Sequence, residues 1–280
     1  MASRNQRKAV AEDTVKIIAQ GSYTAVGKVV NLRSDIDSAV SGSLLYSPAD
    51  FTEDFLSVKQ DWIRPESSPT IFTLASETTL EGAMKLARSN PEARIGVLNF
   101  ASAKNPGGGF LSGAGAQEES LARSSALFPC VSQMTRMYSE NRKSASCLYF
   151  HYMVYSPRVP VFKNDAGNLL QLPYQVDFIT APAPNAGVAR ERLTNPAEEI
   201  KQVMIERIDR ILAVCAHQGC DTLVLGAYGC GVFGNSIEEV AWYFRVLLTK
   251  KYQNVFRLVH FAVPDRITPF SNVFGKLIKA

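Results

Sequence analysis

The sequence lacks the features that would place the chain in a membrane or direct it to secretion. Hydrophobic residues make up 46% of its 280 residues, but no uninterrupted apolar run approaches the roughly 18 to 20 residues that a membrane span needs. The N-terminus also lacks the apolar block of about 7 to 15 residues that a secretory signal requires. We therefore expect a cytoplasmic protein, or a nuclear one if the source is eukaryotic, with no membrane partner.

Residues that bind metals or form disulfides are few and poorly spaced for either role. The five cysteines are odd in number and form no CxxC pair, which is typical of reduced thiols. The three histidines have no neighbours at the spacing of metal ligands. The sequence predicts neither a metal site nor a cofactor.

Blocks of positive charge are also missing. The net charge is +4, and the lysines and arginines are spread along the chain. This mild excess helps to attract an anionic ligand, but it is smaller than the basic surface of a protein that binds duplex nucleic acid. We expect no direct binding to duplex DNA or RNA.

From about residue 71 the sequence alternates between β-rich apolar runs and helical patterns. The predicted strands lie in "TIFTLA", "RIGVLNFA", "YMVYSPRVPVF", "QVDFITAPAP", "DTLVLGAYG" and "FRLVHFAV". The predicted helices cover 78–89, 117–128, 197–218 and 236–250. Strands that are apolar on both faces, separated by amphipathic helices, predict a three-layer α/β/α sandwich with a mixed, largely parallel sheet.

The region before residue 71 is less regular. Residues 6–20 have helical spacing, and residues 22–70 are mixed and rich in turns. We expect residues 1–70 to form an N-terminal extension packed on a catalytic core of residues 71–280, and we expect a monomer.

Two glycine-rich segments connect a predicted strand to a predicted helix. The first glycine loop (residues 101–116) contains GGG, and the second glycine loop (residues 226–235) reads "GAYGCGVFGN". Ligands of open α/β sheets bind beyond the carboxyl ends of the strands, and glycine lets backbone N–H groups approach phosphate oxygens. The second glycine loop therefore predicts a diphosphate site, although tight turns explain either loop alone about as well. Neither loop ends in the GK[ST] of a P-loop.

Two adjacent acids, Glu118 and Glu119, follow the first glycine loop and open a helix. Acids are common in the first helical turn, where the helix dipole favours them, so a solvated surface is the ordinary explanation. Their position at the ligand edge favours chemistry instead. A carboxyl group beside another carboxylate and a diphosphate tends to keep its proton, and such an acid can protonate the leaving oxygen of a glycosidic bond.

The order of these motifs resembles a known family. GGG, the seven-residue spacer "FLSGAGA" and QEE match the signature of poly(ADP-ribose) glycohydrolases, and the chain resembles their compact microbial form. The segments "LNFASAKNPGGG", "VYSPRVPVFKNDAGNLL", "ITAPAPNAG" and "LVLGAYGCGVFGNS" occur in the matching order. The resemblance implies a macrodomain-like fold that binds the end of poly(ADP-ribose), including chains on modified proteins, and cleaves its ribose–ribose O-glycosidic bond.

The resemblance also implies roles for individual residues. Glu119 would be the catalytic acid/base, Glu118 would hold hydroxyls of the ribose being cleaved, and Gln117 would orient the loop or the carboxylates. Asn105 would contact ribose, and Phe233 would order the terminal ribose, although from the sequence its ring is equally well explained by packing in the core. The remaining substrate-binding residues are predicted on the two loops: Gly107, Gly108, Gly109, Gly226, Gly229, Cys230, Gly231, Val232 and Gly234.

Two other functions are compatible with much of the sequence. A macrodomain that only binds ADP-ribose would keep both glycine loops but would not need QEE. A hydrolase of protein-linked mono-ADP-ribose would use the same acids. If residues 1–70 cover the far ribose, the enzyme would remove units mainly from chain ends.

Overall fold

The computed structural model describes residues 2–279, which form eleven α-helices and nine β-strands. The strands are β1 (Ser22–Ala25), β2 (Lys28–Asn31), β3 (Leu44–Tyr46), β4 (Ile71–Ala75), β5 (Ile95–Phe100), β6 (Met153–Lys163), β7 (Leu169–Ala181), β8 (Thr222–Leu225) and β9 (Leu258–Ala262). The helices are α1 (Arg4–Gln20), α2 (Arg33–Ser41), α3 (Glu53–Leu56), α4 (Thr79–Ser89), α5 (Gln117–Ser124), α6 (Leu127–Ser132), α7 (Thr135–Arg142), α8 (Ala186–Arg192), α9 (Pro196–His217), α10 (Ile237–Thr249) and α11 (Ile267–Phe274).

Seven strands form one mixed sheet in the order β3-β6-β7-β5-β8-β9-β4, and β1 and β2 form a separate hairpin. The five strands from β7 to β4 run parallel. Strand β6 is antiparallel to β7, and β3 is antiparallel to β6. The predicted fold class, with a mixed and largely parallel sheet, is confirmed.

Apolar clusters cover both faces of the sheet. One cluster joins the sheet to α9, α10 and α11, and another joins it to α1, α2, α4, α5, α6 and α7. This arrangement explains why β8 is buried along its whole length and β5 along nearly all of it, since a parallel sheet between two helical layers has no solvated face. No helix within residues 2–279 is long and apolar enough to span a bilayer.

The predicted strands and the four core helices are all present, with one helix divided. The pattern at 117–128 continues past Ser124, but the chain is extended at Ser125, which bridges to Val161 on β6. That contact ends α5, and α6 begins at Leu127. Sequence periodicity could not show this break because the bridge partner is distant in the chain.

Residues 2–70 lie on the sheet and also extend it. Helix α1 packs beside α5, and β3 pairs with the edge of β6, where Leu44 lies opposite Tyr155. The chain on either side of residue 70 therefore contributes to one sheet.

Candidate active site

The chain leaves β5 at the centre of the sheet, forms the first glycine loop and enters α5 at Gln117. The Gln117 side chain ties this return to the strand that precedes the loop. Its Oε1 accepts the Phe100 N–H (2.9 Å), and its Nε2 donates to the Leu98 carbonyl (2.8 Å) and to Thr79 Oγ1 (3.2 Å). With its amide bound in this way, Gln117 fixes the start of α5 relative to the end of β5.

Glu118 is 2% exposed and bonds to the chain on both sides of the loop entrance. Its Oε2 accepts the Ser102 N–H (2.6 Å), and its Oε1 lies 3.4 Å from the Asn99 Nδ2 donor. Burial raises the pKa of Glu118 to about 8, the Ser102 hydrogen bond opposes this rise, and the nearby Glu119 charge adds to it. A substantial fraction of Glu118 is thus protonated at neutral pH and able to donate a hydrogen bond.

Glu119 is 8% exposed and has two carboxylate oxygens in different situations. Oε1 accepts the Gly109 N–H at 2.9 Å. Oε2 is buried and has no hydrogen-bond partner within residues 2–279. Buried polar atoms are rarely left without partners, so Oε2 has a hydrogen-bonding capacity that the described residues do not use.

The glycine triplet brings the backbone against these carboxylates. Gly107 and Gly108 have φ of +67° and +59°, a region that side chains with a Cβ rarely adopt. A Cβ on Gly108 would lie 2.9 Å from Glu119 Cδ and 3.1 Å from Glu118 Oε2. Glycine at position 108 is therefore required for both conformation and space.

The second glycine loop is folded by its own backbone and leaves other donors unused. The Gly234 N–H donates to the Gly231 carbonyl (3.0 Å), and the Asn235 N–H donates to the Gly229 carbonyl (3.2 Å). The N–H groups of Gly231, Val232 and Phe233 donate to no acceptor in the described part of the chain. Neighbouring free N–H groups of this kind bind anions.

A cavity of about 720 Å³ lies between the two loops. Eight predicted site residues line it: Gln117, Glu118, Glu119, Gly229, Cys230, Gly231, Val232 and Phe233. Six others lie outside its lining: Asn105, Gly107, Gly108, Gly109, Gly226 and Gly234.

The residues outside the lining have identifiable backbone roles. Asn105 is exposed, and its carbonyl accepts the Gly108 N–H (3.0 Å). A Cβ on Gly226 would lie 2.6 Å from the Ala262 carbonyl oxygen, so the absence of a side chain allows the loop to leave β8 close to β9. Gly234 closes the turn of the second glycine loop.

Two side chains in the second glycine loop face different surroundings. Cys230 is buried, its Sγ lies 3.5 Å from the Tyr228 carbonyl, and burial raises the pKa of its thiol to about 12. Its thiol is thus an inert packing group. The half-buried Phe233 ring lies 6.1 Å from the Tyr149 ring and also lines the cavity, so the ring packs against the protein and also borders the cavity.

Several polar residues of the cavity were not singled out from the sequence, among them Thr78, Asp165 and Arg266. Thr78 Oγ1 donates to Asp165 Oδ2 at 2.6 Å, and Arg266 Nη1 donates to the Cys230 carbonyl at 3.3 Å. All three line the cavity. Thr78 also caps α4, and this capping pattern explains its presence in the sequence without any reference to a ligand.

The fold and site define a macrodomain-like α/β protein with a buried acid pair beside a candidate anion-binding loop. A family model for the catalytic domain of microbial-type PARG, poly(ADP-ribose) glycohydrolase, matches residues 11–164. The chain belongs to this family. A comparison with curated proteins gave no match.

Solved structures of bacterial enzymes resemble the chain over most of its length. Poly(ADP-ribose) glycohydrolase from Thermomonospora curvata, bound to the inhibitor ADP-HPD, is 40% identical to it. The match covers 96% of this chain and 99% of that one, with a TM-score of 0.87. The enzyme from Deinococcus radiodurans in complex with ADP-ribose is also 40% identical, with coverage of 89% and 100% and a TM-score of 0.80.

Proposed function

We propose that this protein is a poly(ADP-ribose) glycohydrolase that cleaves ribose–ribose O-glycosidic bonds and releases ADP-ribose. Membership of the PARG family and the similarity to enzymes bound to ADP-ribose or ADP-HPD support this function. The observation that carries it in the molecule itself is the buried, unpaired Oε2 of Glu119 at the cavity. Polymers attached to modified proteins are the proposed source of substrate.

In the proposed reaction, Glu119 is the acid and then the base. Its proton passes to the leaving ribose oxygen as the bond from the anomeric carbon to that oxygen breaks, and the bonding electron pair leaves with the oxygen. The resulting carboxylate stabilises the oxocarbenium-like centre and accepts a proton from the attacking water. The Gly109 N–H keeps Oε1 in place while Oε2 transfers the proton.

Glu118 has a supporting role. Because burial raises its pKa to about 8, it can donate to a ribose hydroxyl as well as accept from one. Its bonds to Ser102 and Asn99 fix the direction of its carboxyl group. We propose that Glu118 orients the ribose whose anomeric carbon reacts.

The second glycine loop is the proposed site of the diphosphate. Its free N–H groups at Gly231, Val232 and Phe233 supply donors without adding a charged side chain. Phe233 lines the same cavity and offers a ring face for the ribose. Asn105 and the glycines that lie outside the lining would act through the shape of the two loops.

The N-terminal extension has a proposed part in substrate choice. We propose that residues 1–70 form a structural extension of the 71–280 core and restrict the space beyond the terminal ribose, so that units leave mainly from chain ends. Helix α1, which lies beside α5 and the first glycine loop, supports this proposal. Long oligomers as the dominant early products would contradict it.

The function is tested by incubating the purified protein with labelled poly(ADP-ribose) in EDTA and resolving the products over time. We expect free ADP-ribose from the parent, and a rate loss of at least about 1000-fold in Glu119→Gln, the upper range for loss of an acid/base group. ADP-ribose affinity, measured by calorimetry, should stay within a few fold because the group acts in the transition state. Tight ADP-ribose binding without turnover by the parent would instead establish a binding protein or a hydrolase of another ADP-ribose linkage.

A further inference from the structure

Two arginines on α1 hold the part of the first glycine loop that lies between GGG and QEE. Arg4 Nε donates to the Ser112 carbonyl (2.9 Å), and Arg7 Nε donates to the Gly113 carbonyl (2.8 Å). Gly113 has φ of +79° and lies so close to α1 that an added Cβ would be 3.0 Å from Arg4 Cγ. The Arg7 guanidinium also packs beside Gly115, with Cζ 3.3 Å from the position of a Cβ there.

The held segment is linked to the acid through the backbone of the loop. The N–H groups of Ser112 and Ala114 both donate to the Gly109 carbonyl, at 3.0 and 3.1 Å. The N–H of Gly109 in turn donates to Glu119 Oε1. A shift of Ser112 therefore reaches Glu119 through Gly109, and a shift of Gly113 reaches Gly109 through its chain neighbours Ser112 and Ala114.

Helix α1 is fastened to the core by other contacts farther along its length. Lys163 is 1% exposed, and its Nζ lies 2.7 Å from Asp13 Oδ2 and 2.8 Å from Thr14 Oγ1. Thr14 Oγ1 donates to the Arg123 carbonyl at 2.5 Å. Removal of the two arginines would thus loosen the loop at Ser112 and Gly113, although Arg123 Nη1 still donates to the Ala114 carbonyl (2.5 Å), while the contacts of Lys163 and Thr14 keep the helix in place.

We propose that Arg4 and Arg7 are positioning residues that set the geometry of Glu119 through the first glycine loop. Their guanidinium groups supply directed, charge-assisted hydrogen bonds to two carbonyls of the loop. This role rests on the proposed function, because it concerns the acid of that same reaction. Helix α1 would then affect the rate of the reaction, independently of any effect on where along the polymer the enzyme cleaves.

The test compares the parent with Arg4→Ala/Arg7→Ala and with the control Lys8→Ala. Lys8 is exposed on the same helix, and its ion pair is with Glu12 (3.8 Å) on that helix. We expect kcat of the double variant to fall by about 10-fold to 100-fold, the range for a misplaced catalytic group. ADP-ribose affinity should change less than about threefold, because the free donors of the second glycine loop do not contact these arginines. Lys8→Ala should leave both quantities unchanged.

Amide hydrogen exchange of residues 107–116 supplies a readout that does not depend on turnover. Exchange there should rise in the double variant and stay at the parental rate in Lys8→Ala. Arg7→Lys, on an otherwise parental chain, should lower kcat less than Arg7→Ala, since lysine keeps one donor.

Unchanged exchange in the double variant, or equal losses of kcat and ADP-ribose affinity, would overturn the inference. Failure of the parent to hydrolyse the polymer would count against the proposed function instead. In that event the exchange comparison would still decide whether the arginines hold the loop.

Discussion

The two glycine loops have similar compositions but differ in how the backbone N–H groups at their centres are used. In the first loop, most donors from Gly109 to Ala114 are committed to the protein: Gly109 to Glu119, and Phe110, Ser112, Gly113 and Ala114 to carbonyls of the loop. In the second loop, three consecutive N–H groups, at residues 231–233, donate to no acceptor within residues 2–279. Glycine thus allows close approach to a carboxylate in one loop and leaves room for a ligand in the other.

This difference predicts that the first loop affects mainly the rate of the reaction and that the second loop affects mainly the affinity for substrate. The first glycine loop contacts the groups proposed to do chemistry, and four of its residues predicted to bind substrate, Asn105, Gly107, Gly108 and Gly109, lie outside the lining of the cavity. The second glycine loop lines the cavity over residues 229–233. Changes in the first loop should act mainly on kcat, and changes in the second should act mainly on KM.

Among changes within the two loops, Gly108→Ala should give the largest effect. The new Cβ would crowd both carboxylates, at 2.9 Å from Glu119 Cδ and 3.1 Å from Glu118 Oε2, and would displace the acid. We expect kcat to fall by about 100-fold or more and ADP-ribose affinity to change by about threefold or less. Steady-state kinetics and calorimetry measure the two quantities.

Gly27→Ala provides the matched control for Gly108→Ala. Gly27 also has a left-handed φ, of +72°, but a Cβ there would meet no atom within 4 Å. It therefore carries the same type of backbone strain, about 1 kcal/mol, with no carboxylate nearby. A comparable loss of kcat in Gly27→Ala would show that strain, and not the contact with Glu119, causes the effect.

Gly231→Val should have the next largest effect, with the opposite kinetic signature. A Cβ on Gly231 would meet no protein atom within 4 Å, and Gly231 is not among the glycines with positive φ. The branched side chain would instead occupy space proposed for phosphate oxygens. We expect KM to rise about tenfold with kcat nearly unchanged, as for loss of uniform binding, and the melting temperature to stay at the parental value. A fall in kcat with KM unchanged would place the diphosphate elsewhere.

The sequence was sufficient to predict features that depend on local patterns. Apolar runs identified the strands of the core because a parallel sheet is buried on both faces. GGG and QEE predicted an acid site, because a close approach of the backbone to a side chain requires glycine and because the two adjacent acids can be read directly from the sequence. Both acids and five residues of the second glycine loop line one cavity, and their roles toward a substrate stay predictions.

The hydrogen bonds that each loop makes could not be predicted from the sequence, because they depend on residues that are distant in the chain. The donors to Ser112 and Gly113 come from arginines more than 100 residues away in the chain, and Arg4 and Arg7 look like ordinary residues of an exposed helix. Gly226 was predicted to contact substrate, and the sequence did not show that the absence of its side chain also permits a close approach to Ala262 on a neighbouring strand. Periodicity and motif spacing carry no information about such tertiary contacts.

Glu118→Gln should change the pH dependence of stability. Burial raises the pKa of this carboxyl from 4.5 to about 8, so the folded state binds more protons than the unfolded state between these values. The contribution of Glu118 to the free energy of unfolding is therefore greatest below about pH 4.5 and falls by up to about 1.4 kcal/mol per pH unit as the pH rises to about 8.

Urea unfolding at pH 6 and pH 8.5 measures this loss. Glu118→Gln should be less sensitive to the rise in pH than the parent, because glutamine does not ionise. Glu66→Gln, a change at an exposed position, controls for the loss of one negative charge. The same loss of stability from pH 6 to pH 8.5 in Glu118→Gln and in the parent would show that Glu118 is not the group responsible.

Val232→Ala should have the smallest effect, although Val232 lies at the centre of the second glycine loop. Its side chain is 90% exposed, and the proposed contribution of the residue is its backbone N–H, which alanine keeps. We expect KM within about twofold of the parent, since little binding contact is lost, and no change in melting temperature. A tenfold rise in KM, equal to that of Gly231→Val, would mean that the valine side chain itself contacts the substrate. The second loop would then recognise its ligand partly through side chains. The two loops would in that case differ in the side chains that surround the ligand, and not only in whether their backbone N–H donors are free.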